Sequence, residues 1–127
     1  MSLKIKDIAF TAYPATNIPR SRKFYGEILG LKETMAMDFG DGKWWIEYEI
    51  GTGTLALSNH TKPSKDGGGP NIALEVENLD DAIAALEARG VKIAEVFPGA
   101  TVINSPGCRF CFIKDPDGTP INIHQCR

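Results

Sequence analysis

The sequence predicts an α+β fold built from two successive βαβββ modules, and three observations carry that prediction. The chain repeats itself: Phe10–Ile18 (FTAYPATNI) lies over Asn71–Leu79 (NIALEVENL), each an apolar run ending in Asn just before an aliphatic residue. Each repeat continues into one short helical pattern with a single apolar side. Each helix is then followed by three strand-like runs separated by turn-forming residues.

The first repeat opens with an apolar run through Phe10 and Ala12. Asn17 suits a helix N-cap, because its side-chain oxygen accepts from a backbone N–H that the first turn leaves unpaired. Pro19 fits the opening turn, Phe24, Tyr25, Ile28 and Leu29 share one side, and Gly30 stops the helix. Strands are expected at Leu31–Phe39, Lys43–Ile50 and Thr54–Ser58, with Gly40-Asp41-Gly42 and Gly51-Thr52-Gly53 as turns. In the second repeat Asn78 is the cap, and Asp80 and Asp81 complement the positive helix end. Leu79, Ala82, Ile83 and Leu86 recur at helical spacing as far as Arg89-Gly90. Strands are expected at Val91–Phe97, Cys108–Lys114 and Pro120–Gln125, the last two joined by Asp115-Pro116-Asp117-Gly118. Residues 1–127 thus read as one domain, with modules over 4–60 and 71–127 and a flexible linker over 61–70. The linker's Gly67-Gly68-Gly69 lacks the strand and helix that a phosphate-cradling loop needs.

The chain has 127 residues, 43% of them apolar and 24% charged, which suits a globular domain with its own core. With 14 basic against 16 acidic residues and a net charge of −2, it lacks the basic footprint of a nucleic-acid partner. No apolar stretch approaches the ~20 residues of a membrane helix, so no membrane partner is expected. No signal peptide is visible, and three cysteines, an odd number, suggest reduced thiols and a cytoplasmic location. Cys108 and Cys111 have C-x-x-C spacing, but on a strand such a pair points to opposite faces. The only histidines are His60 and His124, so any metal site must draw mostly on other donors.

Ser21–Leu31 (SRKFYGEILGL) and Asp115–Gly118 (DPDG), set in this repeat, resemble the vicinal oxygen chelate superfamily. That superfamily holds glyoxalase I, bleomycin-resistance proteins, fosfomycin-resistance enzymes and extradiol dioxygenases. The resemblance implies two modules pairing their curved half-barrel sheets around a ligand cavity. It also implies a homodimer, since open sheet edges are otherwise a liability. A divalent metal would be held by up to four residues, one on the first and one on the last strand of each module. Carried onto this sequence, those positions are Phe10, Ala56, Asn71 and Asn122. Phe and Ala offer no donor and Asn is a poor neutral one, so the usual metal is not expected and no cofactor follows.

Period-two alternation extends the pocket faces from these positions. Asn122 is joined by His124, Ala56 by Ser58 and His60, Asn71 by Ala73 and Glu75, and Phe10 by Ala12. Counting back from the DPDG turn brings Phe110 and Phe112 to the same side. Trp45, Glu47 and Glu49 are placed there too, because paired carboxylates are rarely buried against a helix. The candidate ligand-binding residues are therefore Phe10, Trp45, Glu47, Ser58, Asn71, Phe110, Phe112, Asn122 and His124. Such an aromatic, mildly acidic lining suits a planar or cationic organic molecule. Each residue also has a packing reading: Phe10, Phe110 and Phe112 as filler between sheets, Glu47 and Glu49 as a solvated strand face, Trp44 as core. No catalytic residue is assigned; His124 is the best candidate, since imidazole exchanges protons near neutral pH.

Three functions stay open. The first is a metal-independent binder of a small molecule, resembling the bleomycin-resistance branch. The second is a lyase, isomerase or dioxygenase-type enzyme, using His124 as acid or base, a Glu as base, or a displaced divalent metal on Glu47, Glu49, His60 or His124. The third is an interaction module with a collapsed cavity.

Overall fold

The computed structural model describes residues 4, 8–60, 62–65 and 70–126. Of the linker expected over 61–70, residues 61 and 66–69, the triple glycine included, lie outside the described residues, as do 1–3, 5–7 and 127 at the module ends. The first module runs β1 (Thr11–Pro14), α1 (Ile18–Lys23), β2 (Lys32–Gly40), β3 (Lys43–Ile50) and β4 (Gly53–Ser58). The second runs β5 (Ile72–Glu75), α2 (Leu79–Ala88), β6 (Ile103–Ser105), β7 (Cys108–Lys114) and β8 (Pro120–Cys126). Two four-stranded sheets result, ordered β1-β4-β3-β2 and β5-β8-β7-β6. In each, the first strand pairs parallel with the last, Ala12 beside Ala56 and Ala73 beside Asn122, while the other pairings are antiparallel. This is the α+β, twice-repeated βαβββ fold that the sequence predicts.

Both asparagine caps form. The Asn17 side chain accepts from the Arg20 N–H and Asn78 from the Asp81 N–H, each at 3.0 Å, with the cap backbone extended. Beyond Lys23 the first helix widens into a π-type turn over Phe24–Ile28, where the Leu29 N–H reaches the Phe24 carbonyl at 2.9 Å. That turn carries two adjacent aromatic residues, Phe24 and Tyr25, both buried. Gly30 then reverses the chain at φ +72°, a region costly for a residue with a Cβ.

Alternation buries one side of each sheet. Ile46, Tyr48, Leu55 and Leu57 from the first join Cys111, Ile113, Ile121 and Ile123 from the second in one core with Tyr25, Leu79 and Leu86. Polar contacts close the seam between modules. The Tyr13 hydroxyl accepts from the Ile72 N–H at 2.6 Å and donates to the Pro120 carbonyl at 3.1 Å. The Tyr25 hydroxyl donates to Asp115 at 2.7 Å. Arg20 pairs with Asp117 at 3.1 Å, and Thr16 donates to the same carboxylate.

One expected strand is corrected. Val91–Phe97 forms no ladder; its Ala94 N–H bonds the Phe112 carbonyl at 2.8 Å, its Val96 N–H bonds the Ala100 carbonyl at 2.9 Å, and Phe97 makes an isolated bridge with Ala100. Pro98 has no N–H to donate and Gly99 turns at φ +78°, which breaks the run. The edge strand is instead Ile103–Ser105, folded back onto β7 through the tight Pro106-Gly107 turn. Among the described residues, no helix is long and apolar enough to cross a membrane.

Candidate functional site

The sheet faces opposite the core hold the residues singled out in the sequence. On the first sheet, Trp45 lies beside Ser58, and Glu47 beside Ala56, in the β3–β4 register. Phe10 joins them, its ring edge-on to Trp45 with centroids 5.0 Å apart. The Trp45 indole N–H donates to Glu47 at 2.7 Å, and the Ser58 hydroxyl lies 3.2 Å from His60 Nδ1. Further out, Met37 sits opposite Trp45 and Met35 opposite Glu47.

On the second sheet, Phe110 lies opposite His124 and Phe112 opposite Asn122. The two phenyl rings meet edge to face at 5.8 Å, and Phe110 stacks on the His124 imidazole at 6.1 Å. The amide oxygen of Asn122 is buried here with no hydrogen-bond partner among the described residues. Asn71 precedes β5 and is exposed.

The structure thus divides the predicted set in two: Phe10, Trp45, Glu47 and Ser58 on one sheet, Phe110, Phe112, Asn122 and His124 on the other. Phe10 is 46% exposed, and Phe110 and Phe112 are half-buried, so none is sealed between sheets. Their partners are other aromatic rings on an open strand face, which period-two arithmetic alone cannot distinguish from burial. Trp44 packs partly against the core under the Arg22 guanidinium, 5.8 Å from its ring.

A cleft of about 640 Å³ is lined by Phe10, Thr54 and the β3–β4 turn from one module and Ala73 and Glu75 from the other, and of the predicted site residues it contains Phe10. A second cleft of about 610 Å³ lies near Phe24 and Ile28, with Arg89, Lys92 and Lys114 at its rim. It contains none of the predicted site residues.

The donors foreseen for a displaced metal do not converge as a set. Glu47 is engaged by Trp45, His60 by Ser58 and the Phe39 ring, and His124 belongs to the other sheet. What does converge on His124 is Glu75 and Cys126. Glu75 stands beside His124 in the parallel β5–β8 register, and its Oε1 lies 2.6 Å from the imidazole Nδ1. Its Oε2 accepts from the Cys126 N–H at 2.7 Å. That amide, with His124, pulls the Glu75 carboxyl below its ordinary range, and the Glu75 bond in turn holds the imidazole pKa up. The Glu75 charge pushes the Cys126 thiol up. Sequence reasoning placed Glu75 on this face but gave it no role. The signal was available, because once Ala73 pairs with Asn122, Glu75 must meet His124.

The usual metal positions of the resembling superfamily do not suit an ion. Phe10 and Ala56 bring no donor atom, and the carboxamides of Asn71 and Asn122 are neutral.

The fold, the repeat and the interlocked FY and DPDG motifs define a glyoxalase-like protein. The chain belongs to the glyoxalase/bleomycin resistance protein/dioxygenase superfamily, whose family model matches residues 7–123. The uncharacterized protein YaeR of Escherichia coli K12 is 27% identical to it over 132 residues, covering 97% of this chain and 98% of YaeR. TnmS3, an antibiotic binding protein from Streptomyces sp. CB03234, superposes with a TM-score of 0.79 at 22% identity, covering 99% of this chain and all of that one. A glyoxalase family protein from Enterococcus faecalis superposes with a TM-score of 0.74 at 25% identity, covering 94% of this chain and 97% of that one.

Proposed function

We propose that this protein binds a small planar or cationic organic molecule against the aromatic strand faces, without the metal that its superfamily usually holds. The observation that carries the reading is the exchange at the usual ligand positions: Phe10 and Ala56 replace donors, and Phe10 packs edge-on to Trp45 to make an apolar, partly open surface. Aromatic rings offer stacking faces, Glu47 and Glu49 attract positive charge, and the Asn122 oxygen, without a partner among the described residues, would accept from a ligand N–H. The antibiotic binding stated for TnmS3, on the same fold, supports this reading.

A second copy of the chain completes the site in this proposal. Met35, Met37 and Phe39 on β2 are 42%, 41% and 57% exposed, and with Phe10 they form an apolar stretch that a lone protomer leaves in water. Cys108, Cys111 and Cys126 form no disulfide among the described residues, which suits a reducing cytoplasm.

The test is a titration of purified, metal-free protein with planar cationic aromatics, followed by tryptophan fluorescence and calorimetry. Saturable binding that weakens in Phe10→Ala and Trp45→Ala is expected. Chelator-sensitive lyase or dioxygenase turnover would overturn the proposal, as would binding that both substitutions leave intact.

A further inference from the structure

We propose that Glu75, His124 and Cys126, completed by Cys108, form a binding site for a zinc-class transition-metal ion at the end of the second sheet. The site is separate from the superfamily's usual metal positions: it draws on module two alone and none of its residues is Phe10, Ala56, Asn71 or Asn122.

The strand registers bring the four residues together. Glu75 ends β5 and lies beside His124 on β8. Cys126 follows two residues on, so it projects from the same face. Cys108 stands directly opposite Cys126 across the β7–β8 ladder, its thiol 2.9 Å from the Ser105 hydroxyl. One donor atom each from Glu75, His124 and Cys126 falls within 4.8 Å of the others. In a tetrahedral site with bonds of about 2.0–2.3 Å, donors sit roughly 3.3–3.8 Å apart. Closing the cluster around an ion therefore needs side-chain shifts of about an ångström, while the backbone stays in its ladders.

The donor set decides the class of ion. Two thiols, an imidazole and one carboxylate favour zinc or a comparably soft divalent ion over magnesium or calcium, which prefer oxygen throughout. The carboxylate is already oriented, since the Cys126 amide holds Oε2 while Oε1 lies against the imidazole Nδ1. An ion would replace the proton that Oε1 and Nδ1 now share. Both thiols are reachable: Cys126 is exposed and Cys108 half-buried, whereas Cys111 is buried on the opposite face.

The experiment is a titration of reduced, chelator-stripped full-length protein with Co²⁺ alone, followed by competition with Zn²⁺. The expected result is one equivalent bound, near-ultraviolet thiolate-to-cobalt absorption, the strong visible bands of a four-coordinate ion, and displacement by Zn²⁺. Cys126→Ser and Cys108→Ser should each remove about half of the thiolate band. His124→Ala should weaken binding by more than the roughly 10–100-fold that loss of a supporting partner costs. His60→Ala should leave the titration unchanged. An octahedral, thiolate-free spectrum of the unsubstituted protein would overturn the proposal without reference to any variant. So would a thiolate band that keeps its full strength in Cys126→Ser and in Cys108→Ser. No organic ligand is present, so this result is read independently of the aromatic-face binding, which Phe10→Ala probes without touching the cluster.

Discussion

Tyr25 and Asp115 offer the sharpest perturbation. Asp115 is buried, with 5% of its surface exposed, and its two oxygens are supplied unequally. Oδ1 accepts from the Asp117 and Thr119 N–H groups at 2.9 Å each, whereas Oδ2 accepts from the Tyr25 hydroxyl at 2.7 Å. Tyr25→Phe keeps the ring in the core and strands that oxygen. A hydrogen bond to a charged group is worth about 1.5–3 kcal/mol, so a loss of that size is expected. At ~2.1 cal/mol/K per residue, the 127 residues give an unfolding entropy near 270 cal/mol/K, so each kcal/mol lowers Tm by about 4 °C. The variant should therefore melt roughly 6–11 °C lower, by calorimetry or circular dichroism.

The same pair has a pH signature. Burial raises the Asp115 pKa above its ordinary value, and the Tyr25 bond opposes that rise. A carboxyl with a raised folded pKa stabilises the fold fully in acid and loses that contribution as pH climbs through the folded value. Tyr25 is held far above the ordinary phenol range, so its hydroxyl remains a donor throughout. The Tyr25→Phe deficit should be largest where Asp115 is ionised and should shrink as pH falls through its folded pKa. A Tm within about 1 °C of the parent at neutral pH, or a deficit equal on both sides of the titration, would refute the reasoning.

Two further outcomes follow from the geometry. Leu79→Ala empties a fully buried position at the start of α2 and should cost about 2–5 kcal/mol in denaturant unfolding; a loss under about 1 kcal/mol would show that the helix does not anchor the core. In metal-free protein, Glu75→Gln should lower the His124 pKa toward its ordinary value, as read by NMR titration. The imidazole's favourable contribution is present below its ordinary pKa and fades as pH rises through the raised one, while Glu75's fades as pH falls through its lowered value.

Much of the fold was legible because local chemistry decides it. Asn17 and Asn78 sit at helix starts where an unpaired N–H needs an acceptor, and alternation in WWIEYEI separates Ile46 and Tyr48 from Trp45 and Glu47. The edge strand was not legible, because Val91–Phe97 carries strand-forming residues while Ile103–Ser105 owes its pairing to the reversal at Pro106-Gly107. For the site, face assignment followed from parity, but convergence did not. Glu75 and Cys126 are 51 positions apart, and only the parallel register puts them in contact.

The seam between the modules bears on how the repeat can have diverged. Tyr13 and Tyr25 both reach from the first half to the second, and the aligned positions in the second half, Leu74 and Leu86, have no hydroxyl to reach back. The turn that holds Asp115 has Gly51-Thr52-Gly53 as its counterpart, with no acid to receive a donor. Two copies of the first half would bring phenols without a carboxylate, and two copies of the second a carboxylate without its phenol. Whatever symmetric duplication began the repeat, each half has since become a specific mate for the other, and exchanging or reuniting like halves would leave buried polar groups unmatched.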